Sequence, residues 1–222
     1  MSPVRPRRFD LIVFDWDGTL FDSTALIVRC IQNACADVGT AVPSERDASY
    51  VIGLGLVEAL QHAAPDLPRE RYRELAERYR HHYVAAQDQV LLFDGTLEML
   101  EALRAAGHRL GIATGKSRRG LDEALCSANL GGLFHATRTA DETASKPDPR
   151  MLHELMDELR VPAARTLMIG DTTHDLQLAV NAGVACLGVG YGAHAHDAFA
   201  VFDPCHVAHS MAELRAWLEA HA

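Results

Sequence analysis

The chain has 222 residues, 48% hydrophobic and 23% charged, a composition that excludes a disordered or collagen-like polymer. Lys and Arg number 21 against 30 Asp and Glu, and the resulting formal charge of −9 opposes the counterion-release binding expected of a nucleic-acid protein. A chain this long buries roughly 70% of the surface its unfolded form exposes, so its core needs neither a disulfide nor a structural metal. The five cysteines are scattered without a CxxC pair and read as reduced thiols.

Met1 to Arg8 is basic, but the apolar run behind it, Leu11-Ile12-Val13-Phe14, is too short for a secretory signal. No stretch nears the roughly 18 apolar residues of a membrane span. The expectation is a soluble cytoplasmic protein, monomer or homodimer, with neither nucleic acid nor membrane as a partner.

Short apolar runs follow in chain order at Leu11 to Phe14, Leu110 to Ala113, Thr166 to Ile169 and Ala185 to Val189. Apolarity without alternation suits parallel strands buried on both faces. Helical patterns lie between the later runs. Thr96 to Ala106 stops before Gly107, and Asp175 to Ala182 stops before Gly183. Asp148-Pro149 predicts an N-cap with Pro at the first helical position, and Leu152, Leu155, Met156 and Leu159 then share one face. Strands alternating with helices predict an α/β fold with a doubly wound parallel sheet.

From Ser23 to about Gln89 no strand-like run appears. Arg69 to Ala86 is helical, with Tyr72, Leu75, Ala76, Tyr79, Tyr83 and Ala86 on one stripe. This predicts a helical insertion that leaves the sheet after the first strand and returns near Phe93-Asp94-Gly95.

Asp15-Trp16-Asp17-Gly18-Thr19 follows the first strand directly, at the sheet edge where ligands bind in open α/β folds. Residues two apart on extended backbone project the same way, so Asp15 and Asp17 can converge, and converging carboxylates need a cation or a shared proton. A strand-to-turn junction accounts for the segment taken alone. Asp171 and Asp175 in Gly170-Asp171-Thr172-Thr173-His174-Asp175 bring a second acidic pair to another strand end, although a helix N-cap at Thr172 or Thr173 also explains it. Two such ends favour a hard divalent ion held by oxygen.

Thr114-Gly115-Lys116-Ser117 closes a strand and opens a helix, a place for a phosphate. It is no P-loop, because the required earlier glycine position holds Leu110. Only Lys116 and Lys146 are lysines in this arginine-biased chain. Lys116 reads as a solvated lysine, whereas Lys146, before a rigid Pro and a helix start, can neutralise carboxylates and a phosphoryl group together.

In this order, DWDGTLFDS, ATGK, SKPDP and GDTTHD followed by Asn181-Ala182-Gly183 resemble the four motifs of the haloacid dehalogenase superfamily over nearly the whole chain. The resemblance implies a Rossmann-like core from residues 1–21 and 91–222 and a helical cap from residues 22–90, similar to phosphoglycolate phosphatases. It implies Asp15 as nucleophile, Asp17 as general acid and then base, and Thr114 and Lys146 on the phosphoryl oxygens. Magnesium would be held by Asp15, the Asp17 main-chain carbonyl, Asp171, and Asp175 directly or through water. Gly18, Thr19, Gly115 and Lys116 join the phosphate site, with Gly53, Leu54 and Gly55 dipping in from the cap and Arg29 and Arg46 as further cap contributors.

The implied activity is magnesium-dependent hydrolysis of a small phosphorylated metabolite, phosphoglycolate-like or a sugar phosphate. A phosphosugar mutase, a nucleotidase and a pyrophosphatase are alternatives within the superfamily, and a non-catalytic phospholigand-binding module is one outside it. Dehalogenases lack the second aspartate, which here is Asp17, and phosphonate hydrolases need a cap lysine, which the segment from Ser23 to Gln89 lacks. The pairs His81-His82, His194/His196 and His206/His209 lack metal spacing and read as loop or solvated histidines.

Overall fold

The computed structural model describes residues 7–222, so most of the basic start at Met1 to Arg8 lies outside the described residues. Strand β1 (Leu11–Phe14) is followed by four helices, α1 (Thr24–Asp37), α2 (Glu45–Tyr50), α3 (Leu56–Ala63) and α4 (Tyr72–Ala86). Then come α5 (Thr96–Ala105), β2 (Arg109–Thr114), α6 (Arg118–Ser127), β3 (Ala136–Thr139) and α7 (Arg150–Leu159). The chain finishes with β4 (Thr166–Gly170), α8 (Thr173–Ala182), β5 (Ala185–Val189), β6 (Val207–Ala208) and α9 (Met211–His221). Among the described residues no helix is long and apolar enough to cross a membrane.

The six strands form one sheet in the order β3-β2-β1-β4-β5-β6, and every pairing is parallel. The doubly wound parallel sheet expected from the apolar runs is therefore present. Residues alternate between faces along a strand. Ile12 and Phe14 enter one apolar layer with Leu100 of α5, Leu121 of α6 and Leu214 of α9, while Leu11 and Val13 enter the other with Leu152 of α7 and Leu176 of α8. Burial on both faces explains why β1 reads as an unbroken apolar run.

Two strands escape the sequence reading. Strand β3 carries Thr and Arg rather than an apolar run because it is an edge strand, and β6 is only two residues long. The helix α7 begins one residue later than expected: Pro149 is its cap, and the Asp148 carboxylate accepts the Arg150 N–H at 3.0 Å. Gly183 ends α8 as expected.

The helical insertion has an apolar cluster of its own, in which Ile31, Ala34 and Cys35 of α1 meet Leu75 and Ala76 of α4. It joins the sheet through two chain crossings that hydrogen-bond to each other, Asp22 N–H to Leu91 O and Phe93 N–H to Leu20 O, both at 3.0 Å. The return thus begins at Leu91, slightly ahead of the predicted Phe93-Asp94-Gly95.

Leu75 is fully buried between the insertion helices. Leu75→Ala leaves a cavity there, and we expect urea denaturation to show a loss of roughly 2–5 kcal/mol.

Candidate active site

The register of the sheet builds the site. Phe14 pairs with Ile112 on one side and Ile169 on the other, so Asp15, Thr114 and Asp171 emerge at one carboxyl edge. Strand β1 lies between β2 and β4 where the chain direction of winding reverses, which is where open α/β sheets hold ligands.

Asp15, Asp171 and Asp175 are buried, with one oxygen from each lying within 4.8 Å of the others. Lys146 is completely buried between two of them, its Nζ 2.5 Å from Asp15 Oδ1 and 2.7 Å from Asp175 Oδ1. The remaining oxygens are accounted for one by one. Asp171 accepts from the Thr19 hydroxyl at 2.8 Å and from the Ala193 N–H at 2.7 Å. Asp175 Oδ2 accepts from Thr172 N–H at 3.0 Å and from its hydroxyl at 2.7 Å, completing a capping box at the start of α8. Among the described residues Asp15 Oδ2 has no hydrogen-bond partner.

Burial is the largest influence on Asp15 and pushes its carboxyl well above the usual range, with Lys146 opposing and the two neighbouring carboxylates adding to the rise. Asp171 is pushed up to about 7, first by burial and then by Asp175. Burial alone would push the Lys146 ammonium down; the charges of Asp15 and Asp175 reverse this and hold it above its ordinary value.

Asp17 takes a different direction from the expected convergence. Its carboxylate turns away from the acidic cluster to accept from the Ser23 hydroxyl at 2.7 Å, and Lys116 Nζ lies 3.1 Å from the same oxygen. Lys116 is consequently not a solvated lysine. Only 12% of its side chain is exposed, it donates to the Tyr83 hydroxyl at 3.0 Å, and it sits 4.8 Å from that ring's centre. Burial works against its charge, and Asp17 with the two tyrosines of α4 more than compensates.

A cavity of 960 Å³ opens between the sheet edge and the insertion, with Asp15 and Asp17 in its lining. Thr114, Gly115 and Lys116 line it from the sheet side, and Gly53, Leu54 and Gly55 from the insertion. Gly18, Thr19, Lys146, Asp171 and Asp175 are not lining residues; they pack behind Asp15. Thr19 and Gly18 serve Asp171 in this arrangement, since a Cβ at Gly18 would come 2.2 Å from Asp171 Oδ2. Arg29 and Arg46 are exposed and outside the cavity; the arginines that line it are Arg80 and Arg119.

A profile of the haloacid dehalogenase-like hydrolases matches residues 12–189 of this chain. The chain belongs to this family. Among its relatives in the family is a 5'-nucleotidase of Pseudomonas aeruginosa, 34% identical, with the match covering 96% of this chain and 97% of that one. A phosphoglycolate phosphatase of Yersinia pseudotuberculosis is 32% identical over 89% of this chain and 88% of its own. A solved structure of a hydrolase from Pseudomonas syringae shares the fold, with a TM-score of 0.87 at 22% identity over 96% of this chain and 99% of that one.

The acidic cluster of this haloacid dehalogenase-like hydrolase has the donor set of a hard divalent cation. Three buried carboxylates face one ammonium, one carboxylate oxygen is unpaired, and all donors are oxygen. A divalent ion would balance the two negative charges left over.

Several contacts were not legible as site features in the sequence. Ala193 N–H on Asp171 and Ser145 Oγ, which accepts Gly55 N–H at 2.9 Å, are chain-distant partners that involve backbone groups, and Ser23 reaches Asp17 only because the chain turns back between them. His174 and His194 both reach the Tyr50 carbonyl, at 2.8 and 3.0 Å, so two sheet-side rings clasp the insertion. His194 is no free loop histidine: its Nδ1 accepts Thr173 N–H at 3.0 Å, leaving Nε2 to donate to Tyr50. Burial pushes both imidazoles down, which keeps that neutral form.

Two outcomes follow from this geometry. A carboxyl whose folded pKa is raised loses folding stability as it ionises, so Asp171 drains stability from the metal-free protein between its ordinary 3.8 and about 7. In chelator, the melting temperature of Asp171→Asn should exceed that of the parent above pH 7 by a few degrees, at about 2–4 °C per kcal/mol, with the difference shrinking toward pH 4. At Gly115 an added Cβ would lie 2.3 Å from Leu54 O and 2.6 Å from Gly53 O. Gly115→Ala should therefore unseat the insertion loop, lowering kcat/KM by at least about tenfold while thermal melting stays close to the parent.

Proposed function

We propose that this hydrolase is a magnesium-dependent phosphatase of small phosphomonoesters that works through a phosphoenzyme on Asp15. The observation that supports it most is the unpaired Asp15 Oδ2 at the cavity floor, with Asp15 Oδ1 held by Lys146. In this reading residues 1–21 and 91–222 are the catalytic core and residues 22–90 the cap.

Lys146 fixes one Asp15 oxygen and so aims the lone pair of the other at phosphorus. The Thr114 hydroxyl, the N–H groups of Gly115 and Lys116, and the Lys116 ammonium receive the phosphoryl oxygens, whose charge needs positioned donors more than covalent help. Asp17 protonates the departing alcohol oxygen as its bond to phosphorus breaks. The same carboxylate then takes a proton from the water that attacks the aspartyl-phosphate, and Asp15 is regenerated. Ser23 holds Asp17 in reach of both events.

Asp15, Asp171 and the Asp17 carbonyl would hold the ion, with Asp175 directly or through water. When bound, magnesium supplies charge neutralisation that lets two anions meet. Asp175 also keeps Lys146 in place, since the ammonium bridges it to Asp15.

Asp15→Asn should abolish steady-state hydrolysis of p-nitrophenyl phosphate, and Asp17→Asn should lower kcat by roughly 10²–10⁴, with circular dichroism unchanged in both. Near-parental turnover by Asp15→Asn contradicts the mechanism. Activity should vanish in chelator, return with magnesium, and fail with calcium, whose looser coordination can engage both Asp15 oxygens. Full activity in excess chelator would remove the metal from the reading.

A further inference from the structure

The phosphoryl group needs only the floor of the cavity, beside Asp15 and Thr114. Most of its 960 Å³, near the top of the roughly 300–1,000 Å³ range of small-molecule sites, remains for the alcohol half of the ester. One wall of that space is apolar and aromatic, while Gln61, Gln87 and Ser117 are among the polar residues elsewhere in the lining. Ile27 and Ile31 face in from α1, Ile52 and Leu56 from the loop and start of α3, and Tyr79 and Val84 from α4.

Tyr79 and Tyr83 lie one helical turn apart, with ring centres 6.0 Å apart and planes inclined by 26°. Lys116 anchors the Tyr83 hydroxyl, and Tyr83 in turn packs beside Tyr79, so a fixed aromatic surface meets the cavity. Burial keeps the Tyr79 phenol neutral.

The charges of the cavity oppose an anionic alcohol. Lys116 is engaged by Asp17 and Tyr83, Arg119 is paired with Glu123 at 2.8 Å, and Arg80 is exposed. Gly53-Leu54-Gly55 brings no cation, and Glu58 and Asp141 add negative charge to the lining. A carboxylate seated on the isoleucine and tyrosine wall would lose water there, with the exposed Arg80 as its one lining cation outside the ion pairs given, and a bare sugar on that wall would have to reach Gln61 or Gln87 to pair its hydroxyls. A flat neutral ring buries apolar area on the same walls and stacks on tyrosine.

Resting on the phosphatase reading, we infer that the alcohol half of the substrate carries a flat, uncharged ring seated against Tyr79, as in a nucleoside 5'-monophosphate or a benzyl phosphate. Tyr79 is then a specificity-determining residue, and the substrate differs from the two-carbon acid or the sugar that the family motifs suggest.

The test compares kcat/KM of the full chain with magnesium on adenosine 5'-monophosphate, benzyl phosphate, ribose 5-phosphate and 2-phosphoglycolate. The ring-bearing esters should lead by about tenfold or more, and whichever of the two is faster identifies the ring's source. Tyr79→Leu should reduce the ratio of adenosine to ribose ester about tenfold, and Tyr79→Phe should retain it. Val84 is 58% exposed, so Val84→Lys is accepted by the fold, and it should move the ratio toward 2-phosphoglycolate. Titration calorimetry of Asp15→Asn with adenosine 5'-monophosphate and ribose 5-phosphate reads the same preference without turnover. Equal affinities there, or 2-phosphoglycolate matching the ring-bearing esters, overturn the ring seat. If none of the four esters is hydrolysed while the calorimetric preference stands, the phosphatase reading fails and the ring seat survives.

Discussion

The carboxyl edge of the sheet is organised around one buried ammonium. Lys146 has no exposed surface and bridges Asp15 at the end of β1 to Asp175 in the first turn of α8. A lone buried charge is costly, and so is each carboxylate without a partner. The three groups therefore hold one another at fixed positions, and the charge that Lys146 leaves uncompensated is of the sign and size that a divalent cation would offset. Asp15 is left with one restrained oxygen and one available oxygen, a division that a symmetric environment could not produce.

Around this centre, the sheet and the insertion contribute different kinds of contact. The sheet supplies side chains at strand ends, fixed by register to within a residue. The insertion approaches largely through main chain: the carbonyls of Gly53 and Leu54 come so close to Gly115 that no side chain fits between them. Lys116 connects the two halves, since it meets Asp17 from the sheet and Tyr83 from α4. Cap position and the environment of Asp17 are thus linked through one side chain.

Much of this was legible in the sequence, for identifiable reasons. The central strands could be read because burial on both faces forces an unbroken apolar run, and the motif aspartates because they follow those runs directly. Strand β3 was hidden by its edge position, which permits Thr137 and Arg138. The environment of Lys116 was hidden because its partners, Asp17 and Tyr83, are distant in the chain and come from different layers. Asp17 turned from its expected direction because Ser23 and Lys116 offer hydrogen bonds that a period-two projection ignores. Arg29 and Arg46 were expected to contribute from the cap on the family resemblance, and the structure leaves both exposed.

The clasp at Tyr50 separates two properties that often change together. His174 and His194 bind the carbonyl of residue 50, not its phenol. Those two hydrogen bonds are thus indifferent to which amino acid occupies the position, although the ring stacked on His194 is not. The insertion's wall of the cavity, by contrast, includes side chains on α1, α3 and α4. Changes in those side chains would reshape the cavity while the main-chain fastening of the insertion persists, so this architecture lets the cavity vary without loosening the bonds that hold its wall in place.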